Sequence, residues 1–435
     1  MSRFFSILPI AVLGLLTAVG VAHAQDSTVQ GVRIGLVYDP GSRPGVIVLP
    51  VDGAGGDSIR AILQRDFDYG DRINVVGAEG TGFPLAPTTG EESNYPVYAA
   101  LGAVALVQAT VTGGGSGLHV AVHDVARQSI ARVRDFPMRG TPDGGDWRLG
   151  VHTVADEIEL WITGVRGVSA TRVLYISGGR VWVVDSDGFG PRPVSAAGTT
   201  MSPAWHPDGT HLAYAQFVGS GWSIMVEELS GGARPLPAPR GLNATPTFSP
   251  DGNVIVWAHG GESGTDLFAT TVFTNGPARR ITVGRGSDNT SPTFSPDGRR
   301  VAFTSGRSGH PEVYISDADG TNAELLTPYK FGDQSYRSDP DWSPDGRTVA
   351  FQAQLAGRFQ VMTIGLRDRS IRQHTNEGSN EQPSWAPDSR HVVFTSTRSG
   401  TRQLWVLDTE TGRTRQLTHS GGVRMASWSP YLGGR

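Results

Sequence analysis

The stretch Ser291-Pro292-Thr293-Phe294-Ser295-Pro296-Asp297-Gly298 recurs along the chain from residue 202 onward, and its repetition predicts the architecture. Its Pro-Asp-Gly segment is typical of a tight turn: proline presets φ, aspartate caps the turn through its side chain, and glycine takes the left-handed position. The aromatic residue ahead of the turn recurs every 43 to 48 residues, the period of four-stranded propeller blades. The other copies, of which the last is truncated, are Ser202–Gly209, Thr245–Gly252, Asp339–Gly346, Gln382–Ser389 and Ala426–Tyr431.

The strand patterns around the copies predict how the ring closes. Each full copy is followed by alternating apolar and polar residues in three short runs, separated by turns such as Asp319-Gly320. No further run follows the truncated copy at Trp428, whereas three runs beginning at Arg172 have no copy before them. The C-terminal strand is therefore expected to complete the first blade, which removes exposed sheet edges. Residues 167–435 are predicted to form a six-bladed β-propeller closed by the C-terminal strand.

Residues 25–166 lack the repeat and predict a small α/β domain. Strand patterns cover residues 32–37 and 45–51, and a helix is expected to follow Asp57, which could cap it. Further along, the patterns predict a helix leading into a strand, then a hairpin, and then a helix over residues 147–162. The predicted fold is thus a two-domain protein, with the α/β domain preceding the propeller.

The first 24 residues have the pattern of a signal peptide. Arg3 supplies a positive charge, residues 4–21 are nearly all apolar, and Ala22-His23-Ala24 is typical of a cleavage site. We therefore expect an exported chain that begins at Gln25 and has no transmembrane segment. The chain has no cysteine and a formal net charge of −4, which argues against disulfides and against a nucleic-acid surface.

Several residue patterns could indicate chemistry, but each fits a structural role better. The repeated aspartates are expected to hold their own turns, and Asp185–Gly188 and Asp317–Gly320 lack the twelfth-position glutamate of a calcium loop. His119 and His123 form at most a two-ligand pair. The glycine-rich run at residues 113–117 is expected to be a hairpin turn, and the Gly-x-Ser-x-Gly elbow of hydrolases does not occur. We expect no catalytic site, no cofactor and no metal.

With both domains placed, the chain resembles the TolB family, the soluble periplasmic component of the Tol–Pal envelope system. The resemblance rests on the order of signal peptide, α/β domain and six blades, and on three short segments: Val32-Arg33-Ile34, Val46–Pro50 and the terminal Ala426–Leu432. It implies a monomeric adaptor without enzymatic activity. Such an adaptor would link a TolA-like inner-membrane protein to a Pal-like outer-membrane lipoprotein and support outer-membrane integrity and constriction during cell division.

The resemblance also implies where the partners bind. The TolA-like contact is expected in the extended N-terminal segment, at Val32, Arg33, Ile34 and Gly35, although Gly35–Pro40 is less polar here than is usual in the family. The Pal-like contact is expected in the loops just ahead of each repeat, where Thr290 matches a family position and Gly241–Thr245 lacks the usual histidine.

By blade symmetry these loops should gather at one face of the ring as an exposed polar rim. An alternative is a different periplasmic propeller that binds a small molecule or a carbohydrate. The candidate rim residues are Thr245, Asn289, Thr290, Ser291, Arg337, Ser338, Asp339, Asn380, Glu381 and Arg424.

Overall fold

The computed structural model of the protein describes residues 43–77, 94–262, 264–274, 276–283, 287–329 and 335–432. The predicted signal peptide and the predicted partner-binding residues Val32, Arg33, Ile34 and Gly35 lie outside the described residues. None of the helices in the described ranges combines the length and the apolar character that a membrane span requires.

The first part is a five-stranded sheet with helices on both faces, which confirms the predicted α/β fold. Its strand order is β2-β1-β3-β4-β5, with β1 parallel to β2 and β3 and the remaining pairs antiparallel. The elements are β1 Gly45–Val48, α1 Gly56–Tyr69, β2 Asn74–Val75, α2 Tyr95–Ala100, β3 Ala105–Thr112, β4 Gly117–Asp124, β5 Ser129–Pro137 and α3 Gly145–Thr163.

Strand β1 shows why both sheet faces are covered. Successive side chains of a strand point to opposite faces. Val46 and Val48 therefore join the core formed with α1 and α3, whereas Ile47 and Leu49 join the core beside α2. All four side chains are buried, so the strand reads as a continuous apolar run rather than an alternating one.

The second part is a ring of six four-stranded antiparallel blades, which confirms the prediction. In every blade the strand that carries the repeated stretch is an end strand of the sheet, and the following strands pair with it in sequence order. Blade 1 consists of β6 Arg172–Ser177, β7 Arg180–Asp185, β8 Arg192–Pro193 and the C-terminal β29 Arg424–Trp428.

The other five blades have their strands in chain order. Blade 2 is β9 Thr200–Trp205, β10 His211–Val218, β11 Gly221–Glu228 and β12 Arg234–Pro235; blade 3 is β13 Leu242–Phe248, β14 Val254–Gly261, β15 Gly264–Thr271 and β16 Arg279–Arg280; blade 4 is β17 Asn289–Phe294, β18 Arg300–Ser305, β19 Glu312–Asp317 and β20 Glu324–Leu325; blade 5 is β21 Arg337–Trp342, β22 Thr348–Leu355, β23 Arg358–Gly365 and β24 Ile371–Gln373; blade 6 is β25 Asn380–Trp385, β26 His391–Ser396, β27 Gln403–Asp408 and β28 Thr414–Gln416.

The C-terminal strand closes the ring as predicted. Strand β29 pairs antiparallel with β6, with Trp428 opposite Val173. The indole Nε1 of Trp428 donates to Thr171 Oγ1 over 2.8 Å, and Trp428 is buried between the first and last blades. The ring therefore has no open first blade, and its two ends are held together by one hydrogen-bonded strand.

The repeated aspartates hold turns, as the sequence indicates. Asp297 Oδ1 accepts the hydroxyl of Ser295 over 2.6 Å and the amide N–H of Arg299 over 3.1 Å. The same serine–aspartate pair recurs one blade later, where Ser343 donates to Asp345 over 2.6 Å. The aromatic anchors serve packing: Trp385 Nε1 donates across the blade boundary to the backbone oxygen of Asp341.

The α/β domain meets the propeller at the turn end of blades 6 and 1. Arg72 donates to Asp388 over 3.0 Å, and Arg413 pairs with Asp68 over 2.7 Å. Beside them, Arg148 pairs with Asp187 over 2.5 Å. Because Asp388 sits in the Pro-Asp turn at the end of β25, the α/β domain covers part of the turn face of the ring. The start of β25, at Asn380, lies at the opposite face.

Candidate functional site

The candidate site is the face of the ring opposite the α/β domain, at the mouth of the central channel. Each innermost strand begins at this face and ends at the turn face, as β25 shows. The predicted rim residues lie at the starts of these strands, in β13, β17, β21, β25 and β29. The structure thus brings the predicted rim residues of five blades to one face of the ring.

The channel itself contains a cavity of about 220 Å³ lined by the innermost strands of all six blades. Three predicted residues, Thr245, Ser291 and Asp339, line this cavity. They occupy equivalent positions in successive blades. The equivalent residues of the other three blades, which also line the cavity, are Ser202, Gln382 and Met425.

These six equivalent residues share a left-handed backbone. Their φ values lie between 48° and 59°, and the pairing register of the innermost strand shifts beside each of them. A residue with a Cβ pays a steric cost in this conformation, and such residues cluster where a surface is functional. The repeated shift is a β-bulge, which re-aims a side chain at the edge of a sheet. Here it turns one side chain per blade into the channel.

Hydrogen bonds join several of these positions across blade boundaries. The N–H of Ser291 donates to Thr245 Oγ1 over 3.1 Å, and the Ser291 hydroxyl donates to Asp339 over 2.5 Å. On the other side of the ring, the N–H of Met425 donates to Gln382 Oε1 over 3.1 Å. The channel mouth is therefore a preorganised polar ring rather than a set of independent loops.

Two buried carboxyl groups, Asp339 and Asp341, line the channel wall. Burial raises the pKa of Asp339, although the hydroxyl of Ser291 acts in the opposite direction. Burial also raises the pKa of Asp341 to about 6, against the lowering effect of the Trp385 N–H that it accepts over 2.7 Å. Burial thus favours the protonated form of both carboxyl groups, and the channel suits a partner that forms hydrogen bonds with them.

The expectation of an exposed rim is wrong for three of the predicted residues. Asn289, Asn380 and Ser338 are buried. Asn380 donates to Gln360 and to the Glu377 carbonyl, and its Oδ1 accepts from the hydroxyl of Ser396 over 2.7 Å. A buried amide with this many partners holds the blade together, so its polarity reflects internal hydrogen bonding.

Asn289 plays the same part in blade 4. Its Nδ2 donates to Asp266 over 3.0 Å and to the Ser287 carbonyl over 3.1 Å, and its Oδ1 accepts from Arg307 over 3.1 Å. Ser338 accepts from Gln352 over 2.9 Å inside blade 5. These three residues support the rim from within.

The remaining predicted residues are at least partly accessible. Thr290 and Glu381 are half-buried, and Arg424 is exposed. Arg424 lines a groove of about 480 Å³ between blades 1 and 6, together with Arg402, which lies 3.9 Å from the Glu381 carboxylate. The Arg337 side chain is held in place by a hydrogen bond, because its Nη1 donates to the Pro328 carbonyl over 2.8 Å.

Apolar residues at the same face were not identified from the sequence. Phe217, Leu242, Tyr336 and Leu355 are each at least 40% exposed. They lie at hairpin tips or strand starts, because β10 and β22 end at this face where β13 and β21 begin. Polar residues usually occupy such tips. An aromatic residue at a predicted hairpin tip is therefore the sequence feature that could have indicated this apolar surface.

The sequence motifs that could have indicated a metal or calcium site form hydrogen bonds and ion pairs with neighbouring protein side chains. His123 Nδ1 lies 2.9 Å from the hydroxyl of Tyr95 and its Nε2 lies 3.1 Å from Gln108, so this imidazole is occupied on both sides. His119 instead pairs with Asp135 at the surface. In the calcium-like segment Asp185–Gly188, the carboxylate of Asp187 is taken by Arg65 and Arg148.

Comparisons with known proteins agree with this geometry. Residues 160–432 match the family model described as the TolB beta propeller domain. The Tol-Pal system protein TolB of Mannheimia succiniciproducens is 30% identical over 253 residues, which is 55% of this chain and 57% of that protein. The TolB of Bordetella pertussis is 30% identical over 63% of this chain and 62% of its own length. The aligned part of the chain thus spans little more than half the length of these curated relatives.

A solved structure extends the likeness to both domains. The crystal structure of TolB from Acinetobacter baumannii superposes with a TM-score of 0.76 at 22% identity. The superposition covers 89% of this chain and 97% of the other. At this identity the likeness establishes the fold, namely a propeller preceded by an α/β domain.

Proposed function

This chain belongs to the TolB β-propeller family, and from that premise we propose that it is a periplasmic protein-binding scaffold of the Tol–Pal system. In this proposal the channel-mouth face of the propeller holds a Pal-like outer-membrane lipoprotein. The N-terminal segment with Val32, Arg33, Ile34 and Gly35 contacts a TolA-like inner-membrane protein. The scaffold thereby supports outer-membrane integrity and constriction of the envelope during cell division.

One observation supports the binding face above all others: six equivalent left-handed residues surround the channel mouth, and hydrogen bonds link several of them between blades. A rigid surface binds with less loss of conformational freedom, because its side chains are already ordered. Strain repeated in all six blades would be removed by glycine at any of these positions, yet none of them is glycine.

The composition of the face favours a protein partner. Exposed Phe217, Tyr336 and Leu355 surround a polar centre with charged residues such as Glu381 and Arg424. Protein interfaces are enriched in aromatic residues and arginine and typically bury about 800 Å² on each partner.

The alternative is a small molecule or a carbohydrate in the channel. Pockets for drug-sized ligands usually measure about 300–1,000 Å³. The channel cavity of about 220 Å³ is below this range, and its wall consists mainly of short side chains and prolines. The channel therefore fits the tip of an inserted loop from a protein partner better than a complete sugar ligand.

An affinity experiment in the native envelope tests the proposal. The full chain carrying a C-terminal affinity tag is expressed in its own host, and the envelope is solubilised in mild detergent. We expect co-purification of a lipoprotein with an OmpA-like peptidoglycan-binding domain. Recovery of the tagged chain without any such lipoprotein, from envelopes that contain one, would contradict it.

A further inference from the structure

A histidine–aspartate–histidine cluster lies on the turn face of blade 2, away from the channel mouth. His206 and Asp208 belong to the turn between β9 and β10, and His211 is the first residue of β10. The other blades have serine or alanine where blade 2 has His206. These equivalent residues are Ser249, Ser295, Ser343, Ala386 and Ser429.

The backbone aims one oxygen of Asp208 at both imidazoles. Oδ1 accepts the N–H groups of Thr210 and His211 over 2.7 and 3.0 Å. Oδ2 lies 3.0 Å from Nδ1 of His206 and 2.7 Å from Nδ1 of His211. The turn therefore fixes the carboxylate and leaves its second oxygen between two ring nitrogens.

The tautomer of His206 is fixed by a second hydrogen bond. Its Nε2 lies 3.1 Å from the carbonyl oxygen of Gly252, and a carbonyl can only accept, so Nε2 carries the proton. Nδ1 also receives the N–H of Asp208 over 3.2 Å, which indicates a lone pair on Nδ1. A metal-ligating histidine typically donates its other N–H to a carbonyl or carboxylate in this way. Without a cation, this lone pair and the Asp208 carboxylate face each other at 3.0 Å.

The same turn in blade 6 shows what the cluster looks like without a third ligand. His391 Nδ1 lies 2.7 Å from Asp388 Oδ2, which matches the distance between His211 and Asp208. Ala386 replaces the first histidine there, and Nε2 of His391 faces Asp71 of the α/β domain at 3.4 Å. In blade 6 the pair joins two domains, whereas in blade 2 it is accompanied by a second imidazole and is partly open to solvent.

We propose that His206, Asp208 and His211 form a binding site for a divalent cation of the Zn²⁺ class. Nitrogen and carboxylate ligands suit Zn²⁺, whereas Ca²⁺ prefers oxygen ligands alone. Tetrahedral Zn²⁺ with bonds of about 2.0–2.1 Å holds its ligand atoms ~3.3 Å apart. The observed separations of 3.0 and 2.7 Å would therefore open by about 0.3 and 0.6 Å. The Asp208 and His211 side chains are 27% and 28% exposed, so they can move by this amount.

The surroundings complete a site with one open position. The ring of His206 packs edge-on against Phe248 and Phe273, with centroid separations of 4.8 and 5.7 Å, so an apolar wall covers one side. Three protein ligands leave a fourth position for water or for a donor from another molecule. The second histidine–carboxylate cluster of the described residues, Asp66–His152–Asp187, differs because Arg65 and Arg148 already neutralise Asp187.

Calorimetric titration of the full chain with ZnCl₂, after removal of metals by EDTA, tests the proposal. We expect saturation near one equivalent, and a loss of affinity of roughly tenfold or more in His206→Ala, His211→Ala and Asp208→Asn. His119→Ala is the matched control, because His119 also pairs with an aspartate, Asp135 at 2.7 Å, but belongs to neither three-ligand cluster of the described residues. Binding in this control should equal that of the parent chain.

A second measurement protects the test against misfolding of the His206 variant. His211 is partly exposed, so His211→Ala should retain the parent circular dichroism spectrum and melting temperature in the absence of metal. Co²⁺ added to the parent chain should give the visible absorption of a tetrahedral complex, and His211→Ala should lose it. No saturable Zn²⁺ binding by the parent chain, or full binding by folded His211→Ala, would overturn the proposal and leave the cluster as proton-bridged hydrogen bonds only.

Discussion

Arg72 of the α/β domain donates to the carboxylate of Asp388 in blade 6 over 3.0 Å, across 316 residues of sequence. Both side chains are almost completely buried. Asp388 also accepts from His391, and Arg72 also pairs with Glu159 of α3 at 3.3 Å. The contact between the two domains is thus built on charges that are withdrawn from water and depend on each other.

Removing Asp388 should cost far more stability than removing the equivalent aspartate of another blade. Asp388→Ala leaves Arg72 and His391 buried without their shared partner, and breaking a buried pair typically costs about 3–5 kcal/mol. Asp345→Ala is the control, because this carboxylate is exposed and holds only its own turn, at a cost of about 1 kcal/mol. Urea unfolding of both variants measures the difference. Equal losses would show that the interdomain contact contributes nothing.

Raising the pH through the alkaline range should weaken the protein through His391. Burial disfavours the charged imidazole, but Asp388 and Asp71 outweigh this effect and raise the pKa of His391 from 6.5 to about 9, with Arg72 opposing them. The folded state therefore keeps a proton that the unfolded state releases. The stabilisation is complete below pH 6.5 and is lost as the pH rises towards 9, with a slope of at most about 1.4 kcal/mol per pH unit.

The difference between the parent chain and His391→Gln isolates this contribution. Asp156 and Glu159 also have raised pKa values, of about 8 and 7, because both are buried. They give the parent chain a slope of the same sign, so only the comparison with the variant identifies His391. Between pH 6 and pH 9, the unfolding free energy of the parent chain should fall towards that of His391→Gln, so that the difference between the two proteins shrinks. Parallel curves would contradict the assignment.

Asn380 and Glu381 are neighbours with opposite roles. Asn380→Ala should destabilise the chain by about 3 kcal/mol, because the buried hydroxyl of Ser396 and the Nη2 group of the half-buried Arg398 lose the acceptor that they share. Glu381→Ala should change stability by less than about 1 kcal/mol, since its ion pair with Arg402 is long and partly exposed. Thermal melts distinguish the two. A rim role for Asn380 would require the reverse: unchanged stability and impaired partner binding.

The closing strand should depend on Trp428. Trp428→Ala removes a buried indole between the first and last blades, together with its hydrogen bond to Thr171, and should cost about 3–5 kcal/mol. Phe217→Ala is the comparison, because this side chain is 47% exposed at the rim and should cost under about 1 kcal/mol. Chemical unfolding decides between them. A small loss in Trp428→Ala would mean that the ring does not rely on its last strand.

The ring could be predicted from the sequence because each blade repeats the same turn-forming and strand-forming residues. Proline, aspartate and glycine act on neighbouring residues, so the Asp297 turn can be inferred from sequence spacing alone. The closing strand followed from counting strands at both ends. These features depend on short-range chemistry and on the absence of open sheet edges.

Features that depend on distant neighbours were not predictable. Asn289 is buried against Asp266 of β15 and against Arg307 in the turn after β18, and the local sequence does not indicate either contact. Helix α1 does not begin at a cap formed by Asp57; its N-cap is Gly55. A Cβ on the next residue, Gly56, would lie 2.0 Å from the carbonyl oxygen of Val51, so the entry to the helix requires glycine. The possible role of His206 in blade 2 likewise becomes visible only from its contacts with Gly252 and its closeness to His211.

The claim that the channel-mouth face binds the partner is tested most directly by calorimetry. The quantity to measure is the affinity of the full chain for the soluble domain of the OmpA-like lipoprotein from the same envelope. Thr290→Lys places a bulky charge at the channel mouth, beside Ser291. Thr321→Lys places the same charge on an exposed turn of the same blade at the opposite face. Calorimetry is predicted to show that Thr290→Lys weakens binding by about tenfold or more, equivalent to ~1.4 kcal/mol, while Thr321→Lys binds like the parent chain. Equal affinities for the two folded variants, or no binding by the parent chain, would contradict the claim that this face holds the partner.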